Sequence, residues 1–234
     1  MLAIIKREIS AYFSSAIGYV FLAIFFVFAG FNFFAYSLSF NSSSLTYVYK
    51  YLFTYTCFVI PILTMRLISE DKKQKTDQAL FTAPVRLSSI ALGKYFSAVI
   101  IYLIAISITL VYAIVISFFA MPDWPVVFGS FIGILMLGAA LISIGMFLSA
   151  LTESQIVAAI STLGVGLFII FMDSISSIIN VKFIKEILTN LSFFNHYHNF
   201  SLGIFNFVDI IFFLSISALF VFLTVYIFDR KRCN

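Results

Sequence analysis

Charge is what this sequence has least of. Asp, Glu, Lys and Arg make up 10% of its 234 residues, against 62% hydrophobic, whereas a soluble domain carries about 25% charged residues to keep its surface in water. The 14 basic and 10 acidic side chains are too few to make a polar shell around the rest. That shortage excludes water as the main solvent and leaves the bilayer to supply the outer face. Cysteine is nearly absent. Cys57 lies inside an apolar run and Cys233 near the end of the sequence, one placed in hydrocarbon and the other in reducing cytosol, which excludes a disulfide between them. Histidine is limited to His196 and His198. Two ligands leave a zinc site incomplete, so both are read as interfacial polar residues and no metal is expected.

Catalytic signatures are missing as well. There is no G-x-x-x-x-G-K-[ST] phosphate loop: Gly93 and Lys94 are adjacent, but Tyr95 follows and Ser88 stands where the first glycine is needed. The chain is therefore expected to bind no nucleotide and to be no enzyme by that chemistry. No H-E-x-x-H, G-x-S-x-G or paired-carboxylate arrangement falls within the apolar stretches, and two histidines are too little for a lipid-modifying enzyme. The net charge of +4 would suggest nucleic acid only on a soluble face, so no nucleic-acid partner is expected.

What the sequence does have is long apolar runs rich in aromatics, 31 Phe and 12 Tyr, suited to lipid-facing surfaces and interfacial belts. A helix needs about 20 mainly apolar residues to cross the hydrocarbon layer. Six stretches qualify, at roughly 17–38, 47–68, 91–119, 127–150, 156–175 and 208–228. The predicted fold class is all-α: one polytopic membrane domain over residues 1–234, with no internal repeat. The third stretch is long enough to tilt or project beyond the bilayer. In the fourth, Gly129, Gly133, Gly138 and Gly145 allow close helix approach.

Residues 1–16 pattern as an amphipathic interfacial helix, with Leu2, Ile5, Ile9, Tyr12 and Phe13 on one face and Lys6, Arg7 and Glu8 pointing elsewhere; Gly18 is expected to allow a bend into the first span. Orientation follows from basic residues, which are retained in the cytoplasm. Lys6, Arg7, Arg66, Lys72, Lys73, Lys75, Arg86, Lys94, Arg230, Lys231 and Arg232 fall on one side, and Lys50, Lys182 and Lys185 on the other. Both termini are expected in the cytoplasm and the chain in the cytoplasmic, inner membrane. Residues 176–207 contain an amphipathic piece, Ile184, Ile187, Leu188 and Leu191 opposite Lys182, Lys185, Glu186 and Asn190, which predicts a helix or re-entrant hairpin at the outer interface. Arg66, Asp173 and Asp209 sit close to span ends and read as snorkelling at the interface. A proton-driven transporter would carry a deeper ionisable residue.

The sizeable cytoplasmic segment is 69–85. It is helix-permissive up to Pro84, which disfavours helix at Ala83. The succession Arg66-x-x-x-Glu70, Thr76, Leu80 ahead of Ala83-Pro84-Val85, then Gly93-Lys94 opening a span, resembles the segment between spans two and three of ABC-2 type transporter permeases. Lys6-Arg7-Glu8 with Tyr12-Phe13-Ser14-Ser15 and Tyr19 is similar to that family's N-terminal connecting helix, and Leu191-Ser192-Phe193-Phe194 through Asn199-Phe200 and Gly203 extends the likeness over nearly the whole chain. Within the family the sequence looks most like the gliding-motility-associated branch of Bacteroidota. The family's usual glycine before the loop threonine is Lys75 here.

The resemblance implies a permease half that pairs with a second permease subunit, or with its own copy, and with two ABC ATPase subunits. ATP and Mg would sit on those partners and no cofactor on this chain. It implies a coupling helix in the loop that also holds Thr76 and Pro84, with Arg66 and Glu70 fixing it at the membrane surface and Leu80 and Phe81 making the docking contact. A non-transporting scaffold or anchor of an envelope motility or secretion machine is the rival reading.

Overall fold

In the computed structural model the described residues are 1–39, 45–75, 86–178 and 182–233. Among them every regular element is helical and no strand occurs. Six helices are long and apolar enough to cross a membrane: Ala16–Leu38, Thr46–Lys73, Leu87–Ser117, Trp124–Leu151, Gln155–Ser176 and Phe207–Arg230. The architecture is that of a multi-pass membrane protein.

In chain order, α1 covers Leu2–Ser14, α2 Ala16–Asn32, α3 Thr46–Thr64, α4 Ser69–Lys73, α5 Leu87–Ile106, α6 Ile108–Ser117, α7 Trp124–Leu151, α8 Gln155–Ile178, α9 Lys182–Leu191, α10 Phe193–Ser201 and α11 Phe207–Cys233. The first span ends in a π-helical turn, Phe33–Leu38. The third is long because α5 and α6 run on through a hitch at Ser107, whose hydroxyl donates to the Leu103 carbonyl at 2.7 Å.

The second and fourth spans form the centre, 67% and 61% buried against 22% for the last. α7 packs on α3, α5, α8, α10 and α11. It can do so because it carries no charged side chain and because its glycines leave room for neighbours. A Cβ on Gly138 would fall 2.0 Å from the Tyr102 ring, and one on Gly133 2.6 Å from Phe200. Without water, the polar groups of these helices must find partners inside the protein. The Tyr102 hydroxyl donates to the Ile134 carbonyl at 3.0 Å, Tyr49 to the Thr109 hydroxyl at 3.0 Å, and Tyr197 to the Tyr49 carbonyl at 2.8 Å.

Two local expectations are corrected. The chain turns from α1 into α2 at Ser15, in extended conformation, rather than at Gly18. Gly18 serves close approach instead, since a Cβ there would lie 2.7 Å from the Tyr12 carbonyl oxygen. The second concerns α1, whose buried residues are Glu8 and Tyr12, while Leu2 is 82% exposed. Glu8 therefore faces the protein, for a reason that lies on α5.

Candidate functional site

α5 and the helix that continues it contain a single charged side chain, Lys94, and it is 2% exposed. A buried ammonium has three protons to place and a desolvation cost to offset. Its Nζ donates to the Leu67 carbonyl oxygen at 2.7 Å, to Asp71 Oδ2 at 2.7 Å and to Glu8 Oε1 at 3.1 Å. One cation thus joins α5 to the turn after α3, to α4 and to α1.

The local folding of each partner follows from spacing. On α1, Ile4, Glu8 and Tyr12 recur every four residues and share one face. Gly93, beside the lysine, lets that face come close, because a Cβ there would stand 2.8 Å from Ile4 Cγ2. Arg7 Nη2 bonds Glu8 Oε1 at 2.6 Å, which holds the Arg7 guanidinium above its ordinary pKa. The Tyr12 hydroxyl donates to the Leu63 carbonyl oxygen at 2.6 Å. Burial raises its pKa, so it remains a neutral donor. Past the end of α3, Arg66 pairs with Glu70 one turn on, donates to the Ser15 hydroxyl, and stacks its guanidinium 5.8 Å from the Tyr12 ring centre. α4 is also tied to the end of α7, where Lys72 donates to the Ala150 carbonyl and the Ser149 hydroxyl accepts from the Ser69 amide at 3.0 Å.

Arg7, Glu8, Tyr12, Arg66, Glu70, Asp71 and Lys94 line a cleft of about 220 Å³. Arg7, Arg66 and Lys94 face Glu8, Glu70 and Asp71, so the cluster is neutral by internal pairing and has no surplus charge for a ligand. Its chemistry is mechanical: it clasps three segments of the chain together. At its far edge, Lys75 leaves α4 with φ of 56°, the left-handed conformation in which glycine is favoured.

Of the residues singled out in the sequence, the structure brings Arg7, Glu8, Arg66 and Glu70 together, and leaves Lys6 exposed outside the cluster. Thr76, Leu80, Phe81 and Pro84 lie outside the described residues. Lys94, Asp71 and Tyr12 were missed as members, and Lys72 was missed as the tie from α4 to the end of α7. The signal for Lys94 was available: a lysine eight residues into an otherwise uncharged 31-residue helix needs a counter-charge.

A second polar cluster joins α8, α10 and α11. Asp209 is 2% exposed rather than snorkelling to an interface. Its Oδ1 lies 2.5 Å from His196 Nδ1, and its Oδ2 accepts from Asn199 Nδ2 at 2.8 Å. Asp173 accepts from the Ser192 hydroxyl at 2.5 Å, and that hydroxyl caps α10 by accepting from the Asn195 amide at 3.1 Å. Gly203, at φ of 75° and placed so that a Cβ there would stand 3.2 Å from the Pro125 carbonyl, makes the tight turn that returns α10 to α11. Among the described residues no group of three or more His, Cys, Asp or Glu could hold a metal ion.

Searches with this sequence find no matching protein-family model and no matching curated protein.

Proposed function

We propose that the chain is the membrane-spanning permease subunit of an ATP-driven transporter of the ABC-2 type, most like the gliding-motility-associated branch. It would work in the inner membrane with both termini in the cytoplasm, beside a second permease subunit or its own copy and two ABC ATPase subunits that carry ATP and Mg. The observation that carries this reading is the clasp at Lys94. A loop that transmits force from a soluble ATPase must be fixed to the spans it moves, or the force dissipates in the loop. Here the first residues of the 69–85 segment are bonded to α5, to the turn after α3 and to the end of α7 through Asp71, Glu70 and Lys72, and Lys94 carries the connection on to Glu8 of α1. ATP-driven closure of the partners would move α1, α4 and the base of α5 as one lever, exchanging two packings of the spans. α1 would lie at the inner interface, and α9 with α10 would form the outer interfacial segment.

The test is biochemical. The full chain is purified with candidate ABC ATPases and hydrolysis is measured in lipid. The reading expects a stable complex whose ATPase rate falls on Leu80→Asp. Failure of every candidate ATPase to co-purify, or an unchanged rate in that variant, would sink it. A complex that forms but whose ATP-site mutations are all tolerated in cells would favour a scaffold.

A further inference from the structure

We infer that His196 and Asp209 form a proton-binding site, and that the bound proton fastens α9 and α10 to the last membrane-spanning helix. The argument is a count of hydrogens. His196 Nε2 lies 3.0 Å from the Asn190 carbonyl oxygen, which can only accept, so Nε2 carries a hydrogen. His196 Nδ1 lies 2.5 Å from Asp209 Oδ1. A ring lone pair and a carboxylate oxygen repel at that distance, so a further hydrogen sits between them. Whichever atom holds it, the pair contains one proton more than a neutral imidazole beside a carboxylate, and its net charge is zero. That neutrality suits the surroundings: the Asp209 side chain is 3% and the His196 side chain 16% exposed, and the ring lies 4.0 Å from that of Phe212 in a stacked arrangement. The remaining exposure of the histidine gives the proton its access to water.

Among the described side chains, Asp209 is the charged group that pairs with the ring. α7 has no titratable side chain. From α8, Asp173 reaches this region only through Ser192. From α3, Lys50 lines a separate cavity with His198, on another side of α10. Lys185 and Glu186 of α9 are exposed. Loss of the proton leaves one hydrogen for two acceptors, so the ring gives up either Asn190 or Asp209. The sign is fixed by the geometry: the bond set is complete on the acid side, with the proton bound, and loses a member on the alkaline side, when the proton leaves. This holds whether or not the chain is a transporter subunit.

Backbone hydrogen exchange of residues 190–201, in the full chain in lipid nanodiscs, tests it, with each rate divided by the free-chain rate at the same pH. Wild-type protection should fall at least about tenfold between pH 5 and 8, the scale of one hydrogen bond to a charged group. In Asp209→Asn the new amide donates to Nδ1 while its oxygen accepts from Asn199, so the bonds are complete without an extra proton. Protection should then stay flat near the acid wild-type level. His196→Phe should be flat and low, and His198→Gln should respond as wild type. A flat wild-type profile, an unchanged pH response in Asp209→Asn or in His196→Phe, or a response abolished by His198→Gln would each overturn the site.

Discussion

The polar clusters at the two ends of α3 solve the same problem in different ways. Each must bring buried ionisable groups to net neutrality in a chain whose solvent is mostly lipid. At the Arg66 end, three fixed cations are set against three fixed anions drawn from α1, the turn after α3, α4 and α5. At the Tyr49 end, a histidine and an aspartate share a proton. The first arrangement balances charge against charge by direct pairing; the second is complete only while its proton is bound. One end behaves as a permanent joint and the other as a releasable one.

The largest expected effect breaks the permanent joint. Lys94→Met takes the shared cation from Asp71 and from Glu8, which keeps Arg7, and should cost about 3 kcal/mol, read as a lower thermal unfolding midpoint in detergent. Combining it with Glu8→Gln and Asp71→Asn removes the stranded charges and should restore most of the loss, as expected when a pair rather than a packing contact is at stake. A single variant as stable as wild type would show that the cluster does not hold these segments.

Next comes Asp209→Ala at the other end, which strips His196 and Asn199 of their acceptor. The loss should be about 2 kcal/mol at pH 5, where the proton is bound, and smaller at pH 8. Equal losses at both pH values would erase the distinction between the two ends. Tyr12→Phe should cost about 1 kcal/mol at either pH, because the Leu63 carbonyl oxygen loses its buried donor while the ring keeps its place under Arg66.

How far the sequence anticipates this depends on the range of each interaction. The six apolar helices are legible, since span length and hydropathy are local properties. So is the Arg66 and Glu70 pair, one helical turn apart. Glu8 is legible as a residue but not in its direction, because amphipathic patterning assigns a carboxylate to solvent unless its partner is known, and Lys94 lies 86 positions away. His196 and Asp209 are separated by a turn whose geometry rests on Gly203 and on its contact with Pro125. Periodicity carries no trace of that, so Asp209 reads as an interfacial residue until the fold closes around it.

The smallest effect probes the edge of the permanent joint. Lys75 is exposed and adopts φ of 56° as the chain leaves α4, with its amide donating to the Lys72 carbonyl at 3.1 Å. A side chain in that region costs roughly 1–2 kcal/mol through its Cβ, whereas glycine escapes the clash but loses more chain entropy on folding, about 0.5–1 kcal/mol. Lys75→Gly should therefore stabilise by about 0.5 kcal/mol, seen as a small rise in the thermal midpoint. Lys75→Ala separates the two possible origins of such a gain: it removes the same charge but keeps the Cβ, and should give no rise. A rise in both variants would mean that the lysine charge, not the backbone, limits the joint at its edge. A rise in glycine alone would place the strain where the loop departs and leave the ionic clasp at Lys94 as an independent contribution.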